Sequence, residues 1–309
     1  MSKDQIKIFC PATIANISCG FDVLGLALGT VGDEMVIRKM AQPGIKISSI
    51  TGQDLPMETE RNVAGVAGMA MLAALKYTNG FEIEITKKIK PGSGIGSSAA
   101  SAAGAVWGIN QLLGTPCSEH QLVEFAMEGE KLASGSAHAD NVAPAIYGGI
   151  TLVRSSNPLD VVRINPPSQL YATVVHPHIE IKTSDSRKIL KTTISLADGI
   201  RQWGNLGALV AGLFQEDYAL ISRSLEDHII EPIRSILIPG FEDIKSGAIA
   251  AGALGCGISG SGPSIFALSK GKDTANNVAK AMSGVLDKIE LNHDAYVSEI
   301  NTKGFRILS

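Results

Sequence analysis

The sequence predicts a two-domain α+β protein, and three observations predict it. The chain has 309 residues, about two domains' worth at the usual ~100–200 residues each. Segments of helical spacing and segments of strand alternation follow one another without the tandem strand–helix–strand repeat of a doubly wound sheet. A segment carrying three prolines, Asn157 to Ser168, divides the chain near its middle and reads as a linker.

Ile6-Lys7-Ile8 alternates as a strand start, and Val31 to Arg38, Ile45 to Ile50 and Phe81 to Ile85 read as strands. Asn62 to Tyr77 carries Val63, Val66, Ala67, Ala70, Met71 and Ala74 at helical spacing. After Pro91 a glycine-serine turn opens a helix with a stripe from Ala99 to Leu113, stopped by Gly114 and Pro116. Ser118 caps a third helix through Leu132, and Gly148-Gly149 turns into a strand from Ile150 to Arg154. Beyond the proline segment, Leu170 to His176 is a strand, with helices over Ser184 to Leu190 and Leu196 to Gln215. The end reads helix from Glu242, strand Ser264 to Leu268, helix Thr274 to Ile289, strand Ala295 to Ile300.

Composition narrows the function classes. Net charge is −3, so there is no general electrostatic case for nucleic acid or an anionic membrane. Cys10, Cys19, Cys117 and Cys256 are scattered without a C-x-x-C pair, which argues against a disulfide framework or structural zinc and for a reducing, cytoplasmic setting. The N-terminal residues lack the apolar core of a signal peptide. Pro91 to Ser118 and Ser246 to Ser269 are uncharged and of spanning length, but Gly, Ala and Ser dominate them, so neither reads as a membrane helix. Glycine is in excess, 33 residues against a usual ~7%, and calls for backbone geometry as its reason.

The strongest local signal is Pro91-Gly92-Ser93-Gly94-Ile95-Gly96-Ser97-Ser98-Ala99-Ala100-Ser101. Alternate glycines let backbone N–H groups converge, and a helix starting near Ser97 adds the positive end of its dipole, which suits a phosphate. A Walker loop is excluded, because Gly271-Lys272 lacks the upstream glycine and the following hydroxyl. Gly94-x-Gly96-x-x-Ala99 fits the dinucleotide fingerprint formally, but neither a buried strand before it nor a ribose-binding acid after it is present, which disfavours an NAD-dependent oxidoreductase.

Three motifs in order resemble the GHMP kinases: Pro11 to Gly25 (PATIANISCGFDVLG), the Pro91–Ser101 loop, and Gly257 to Ser264 (GISGSGPS). The form of the first motif and His138-Ala139-Asp140-Asn141-Val142-Ala143-Pro144 resemble the homoserine kinases in particular. The resemblance implies an N-terminal domain like that of ribosomal protein S5 and a ferredoxin-like C-terminal domain, over residues 1–160 and 161–309. It implies transfer of the γ-phosphoryl group of ATP to the side-chain hydroxyl of L-homoserine, with Mg2+, and a homodimer whose interface the sequence does not locate.

The same resemblance places the ATP phosphates on the loop from Pro91 to Ser101, and Mg2+ on Ser98 and Glu130, although Glu130 read locally is a solvated helix acid. For the substrate it offers Asn16, Asp22, His138, Asp140, Thr183, Arg187, Arg234 and Gly260. Homoserine is a zwitterion, so its carboxylate needs a cation, for which bidentate guanidinium geometry is suited. Arg187 is expected in the opening turns of a helix capped by Thr183 or Ser184, opposing the helix dipole by ~0.3–1 kcal/mol and calling for a carboxylate partner. Locally it reads equally as a solvated arginine. His138 reads equally as a loop histidine donating to a carbonyl and as a substrate contact.

In mevalonate-type relatives an Asp sits seven residues before the Gly-Gly turn; here that position is Asn141, with Asp140 one residue off register. An amide cannot accept the proton, so Asn141 is expected to orient the hydroxyl while the proton leaves to solvent or phosphate, with Asp140 as base the rival. Two alternatives on the same fold are a GHMP kinase for another small alcohol, such as a mevalonate-pathway intermediate, and a catalytically silent ligand sensor. Retention of both Ser98 and Glu130 argues against the sensor.

Overall fold

The computed structural model describes residues 4–135 and 138–309. β1 (Gln5–Ala15) and β2 (Leu24–Met40) form a long antiparallel pair. β3 (Gly44–Thr51) leads to helix α1 (Val63–Leu75), which Asn62 caps by accepting from Ala64 N at 3.0 Å. β4 (Gly80–Thr86) then inserts between β2 and β3, parallel to β3. Two long helices follow, α2 (Ser97–Leu112) and α3 (Glu119–Ser134), the latter started by a Ser118–Gln121 capping box. The short α4 (Val142–Tyr147) precedes β5 (Ile150–Ser156) and β6 (Leu159–Ile164).

The expected linker is therefore a hairpin. Leu159 to Ile164 pairs along β5, and β5 pairs with the start of β2, so the first sheet continues through the proline-bearing segment. Pro158 sits in the turn, and Pro166 and Pro167 lie beyond the strand. Helix α2 lies on the sheet with its alanines fully buried. A Cβ at Gly104 would come within 2.7 Å of Cys10 Sγ, so the small residues in this helix set how closely it approaches β1.

The second unit starts with β7 (Leu170–Pro177) and continues through α5 (Thr183–Lys188), α6 (Leu196–Gln215), α7 (Tyr218–Ser224), α8 (Glu231–Arg234) and α9 (Phe241–Ala250). β8 (Gly255–Ile258), β9 (Ile265–Lys270), α10 (Lys272–Lys288) and β10 (His293–Glu299) complete a four-stranded antiparallel sheet in the order β10-β7-β9-β8. Its own core is built from residues such as Val175, Phe241, Ile244, Ile265, Val278 and Met282. The chain then returns to the first sheet as β11 (Arg306–Ile307), beside β1. Gly257, which opens the third motif, lies inside β8. One sequence expectation shifts here: the helix bearing Arg187 is capped by neither Thr183 nor Ser184, since Lys182 is its N-cap residue and makes no side-chain cap. Among the described residues no helix is long and apolar enough to cross a membrane.

Candidate active site

A cleft of about 480 Å3 opens where the two units meet, and the three motifs form its walls. Backbone bonds stitch them together: Thr13 N donates to Ile95 O (3.2 Å), Gly260 N to Ala15 O (3.3 Å) and Ser264 N to Ser93 O (3.2 Å). Ser259 Oγ adds a bond to Gly94 O at 2.7 Å. A Cβ on Gly94 would lie 2.6 Å from the carbonyl oxygens of Ser259 and Gly262, so glycine is what lets the first-unit loop meet the second-unit turn. Gly96 has φ 70° and stands against the Thr13 hydroxyl, which in turn donates to Asn141 Oδ1 at 2.7 Å.

The loop delivers what its sequence promised for an anion. Gly96 is the N-cap residue of α2 and supplies no side-chain cap, so the first-turn N–H groups of a sixteen-residue helix face the cleft. Pro91, Gly92, Gly94, Gly96, Ser97, Ser98 and Ser101 line it. Ser93, Ile95, Ala99 and Ala100 do not; they are buried behind the loop. Glu130, from α3, lies beside Ser98, and burial pushes its carboxyl up to about 7, with hydrogen bonding from Ser98 and the charge of Lys87 pulling the other way.

Lys87 is a site residue that the sequence reading missed. It stands in the basic run Lys87-Lys88-Ile89-Lys90, which looks solvent-facing, yet its side chain is 1% exposed and paired with equally buried Asp33. Its ammonium also donates to Ser97 O (2.9 Å) and Ser101 Oγ (3.1 Å), while Asp33 accepts from Lys88 N (2.7 Å) and Ile89 N (2.9 Å). One ion pair thus fixes both ends of the loop. Thr13 was also missed as a site residue, although it sits within the first motif.

At the other end of the cleft the first motif makes a tight left-handed path. Asn16, Ile17, Ser18 and Asp22 have φ of 73°, 43°, 62° and 60°, a strain of roughly 1–3 kcal/mol each that marks a functional turn. Asn16 holds it, donating from Nδ2 to Gly260 O (2.8 Å) and accepting from Asp22 N (3.0 Å). Asp22 then meets Arg187 in a two-pronged pair, 2.8 and 3.1 Å. Arg187 stands in the last turn of α5, not the first, so the dipole favours its charge and the expected conflict is absent. Thr183, at the start of that helix, shares a hydroxyl contact with Ser261 at 3.2 Å.

Arg234 is buried behind them, donating to Ser186 O (3.2 Å) and Gly260 O (3.1 Å). Burial and neighbouring Arg187 bring its guanidinium down to about 10. Both guanidiniums lie over the Phe21 ring, with the central carbon of Arg187 5.6 Å and that of Arg234 5.1 Å from its centroid, within cation–π range. Asp140 is buried and pushed up to about 7, first by desolvation, then by Asp22 and Glu130. His138 Nδ1 is 3.9 Å from Asp22 Oδ2, and burial lowers its pKa. Among the described residues, two buried donors at this end, Arg187 Nε and His138 Nε2, have no hydrogen-bond partner. Unpaired buried groups in a cleft are what a ligand would satisfy.

The geometry defines a class: an anion-binding loop and a compact, doubly charged polar pocket share one cleft, as in a small-molecule kinase. Comparison with known proteins specifies it. Residues 62–149 match the family model for the GHMP kinase N-terminal domain and residues 208–288 that for the GHMP kinase C-terminal domain. The chain is 47% identical to a homoserine kinase of Chlorobium phaeovibrioides over 98% of this chain and 99% of that protein. The crystal structure of homoserine kinase from Cytophaga hutchinsonii superposes with a TM-score of 0.96 at 53% identity, covering 100% of this chain and 98% of that one. Mevalonate kinase of L. major, at 17% identity and a TM-score of 0.67, shares the fold. The chain belongs to the homoserine kinase family of the GHMP kinases.

Proposed function

We propose that this enzyme transfers the γ-phosphoryl group of ATP to the side-chain hydroxyl of L-homoserine, giving O-phospho-L-homoserine. The observation that carries the reading is the Asp22–Arg187 pair, with Arg234 behind it, at one end of a cleft whose other wall is the phosphate loop. A carboxylate beside a guanidinium complements an amino acid's ammonium and carboxylate together. A hydroxy acid without an ammonium would bring no cation to Asp140 or to the side of Asp22 that Arg187 leaves open, which is why mevalonate fits less well.

In this reading the loop amides and the start of α2 take the phosphates, Lys87 holds the loop in shape, and the apolar far end of the cleft, at Leu55, Pro56, Val63 and Ile85, takes the base. Ser98 and Glu130 fit a magnesium ion, since one hydroxyl and one carboxylate suffice for a cation that keeps waters and phosphate oxygens. Glu130, held partly protonated by burial, gains its charge back beside a cation. When bound, the ion would neutralise phosphate charge.

Arg187 Nε and Arg234 face the substrate carboxylate, and Asp22 with Asp140 the ammonium. Asn141, fixed by Thr13, orients the hydroxyl for in-line attack, a role of alignment rather than bond-making. One observation favours a second reading of the proton's fate: a carboxyl held at about 7, as Asp140 is, is matched to general-base work near neutral pH. Phosphorus NMR of the enzyme with ATP, Mg2+ and L-homoserine tests the function. A new phosphomonoester resonance that co-migrates with O-phosphohomoserine is expected; ATP hydrolysis to inorganic phosphate alone would refute it.

A further inference from the structure

Helix α6 packs on the rest of the protein through one face, at Gly199, Leu206, Leu209 and Leu213. Steps of three and four residues along that face put Gln202 in the same row, where the pattern calls for an apolar side chain. An amide is tolerated in such a place only if its polar atoms are matched. They are matched: Nε2 donates to Cys19 O at 3.1 Å and to Asp227 Oδ1 at 2.8 Å, and Oε1 accepts from His228 N at 3.0 Å.

The two acceptors belong to the two arms of the polar pocket. Cys19 lies in the left-handed turn between Asn16 and Asp22, beside Ser18 with its φ of 62°. The Asp227 carboxylate accepts from Ile229 N (2.9 Å), Ile230 N (3.1 Å) and Glu231 N (3.0 Å), so it fixes the start of α8, whose last residue is Arg234. On the pocket side the same arms meet where Asn16 and Arg234 both donate to Gly260 O. Gln202 does not line the cleft and joins the arms from outside it. We infer that Gln202 is a positioning residue for the amino-acid end of the cleft: it sets the separation of Asp22 and Arg234, and through them the affinity for the zwitterion, without touching it. The inference rests on the homoserine reading above. The phosphate loop is held by separate bonds, to Thr13, Ser259 and Ser264, so the effect falls on one substrate.

Steady-state kinetics with each substrate varied in turn, beside a thermal melt, test this in three variants of the full chain. Gln202→Met suits both a helix and the apolar row but donates nothing. It should raise the KM for L-homoserine by ~5–20-fold, with kcat and the KM for ATP within ~3-fold of wild type. Gln202→Glu keeps the acceptor for His228 N and sets a carboxylate against Asp227 and Cys19 O, so its homoserine KM should rise further, by ~20-fold or more. Asn205→Ala is the control. Asn205 holds the same segment, donating to Glu226 O at 3.0 Å, but among the described residues makes no bond to the first motif, and both KM values should stay within ~2-fold of wild type. An unchanged homoserine KM in the Gln202 variants, KM values for both substrates rising together, or an equal rise in Asn205→Ala would each overturn the inference and leave the functional reading intact. A wild type that turns over another alcohol and not homoserine would overturn that reading, and the inference with it.

Discussion

Arg187 and Asp22, separated by 165 residues in sequence, meet through two hydrogen bonds of 2.8 and 3.1 Å across the junction of the two units. Both side chains are part-exposed, 30% and 28%, so the pair adds little to stability. Its worth lies in presenting adjacent charges of opposite sign to the cleft. Asp22→Asn and Arg187→Met should each raise the KM for homoserine by ~10–150-fold, the equivalent of ~1.5–3 kcal/mol for a charged hydrogen bond, with the KM for ATP nearly unchanged. The double variant should lose much less than the product of the two, because each group also orients the other. Steady-state kinetics with each substrate varied in turn reads both effects.

Glu130 and Asp140 make the unliganded protein's stability depend on pH. Both carboxyls sit near 7 in the fold against ordinary values of 4.5 and 3.8. The folded state therefore keeps protons that the unfolded chain gives up between about 4 and 7, and stability falls as pH rises through that window, then levels off. Glu130→Gln should flatten part of this slope, raising Tm at pH 8 more than at pH 5, while weakening magnesium on the order of 100-fold. Calorimetry at the two pH values, with a magnesium titration of activity, checks the pair of effects.

Gly96→Ala should act on nucleotide binding and, through Thr13 and Asn141, on turnover. The added methyl strikes the Thr13 hydroxyl, and the positive φ is itself strained, together about 1–3 kcal/mol. A Kd for ATP raised by ~10-fold or more in isothermal titration, together with a lowered kcat in steady-state kinetics, is the expected result.

Lys87→Met leaves Asp33 buried without its cation, which should cost ~3–5 kcal/mol in urea unfolding. Adding Asp33→Asn should recover part of that loss. Neither change touches the homoserine end of the cleft, so the residual activity of the double variant should show a nearly normal KM for homoserine.

Asp140→Asn separates the two readings of the proton. Near-normal turnover with a raised homoserine requirement supports orientation by Asn141; loss of turnover with unchanged substrate binding makes Asp140 the base.

Much of this was legible in the chain. Helix α6 runs over Leu196–Gln215, as its spacing predicts, because a long amphipathic segment averages over local noise. Loop 91–101 could be read because its glycines and serines are a backbone requirement written directly in residue type. Helices α4, α7 and α8, of six, seven and four residues, are too short to show a period. Asn157 to Ser168 misled because three prolines outweighed the strand Leu159–Ile164 between them. Lys87 was hidden for a different reason: burial of a charge depends on a partner 54 residues away, and nothing local records it. Arg187 was placed at the wrong end of its helix because the boundary moved by only a few residues, enough to reverse the sign of the dipole argument.

The central claim is that the polar end of the cleft selects an amino-acid alcohol. An assay that couples ADP release to a colour change, run in parallel with L-homoserine, mevalonate, galactose and shikimate, tests it most directly. Turnover with homoserine at least ~100-fold above the other three in kcat/KM is predicted, a difference of ~2.7 kcal/mol in transition-state binding. Preference for mevalonate, or nucleotide binding without turnover of any of the four, would contradict it.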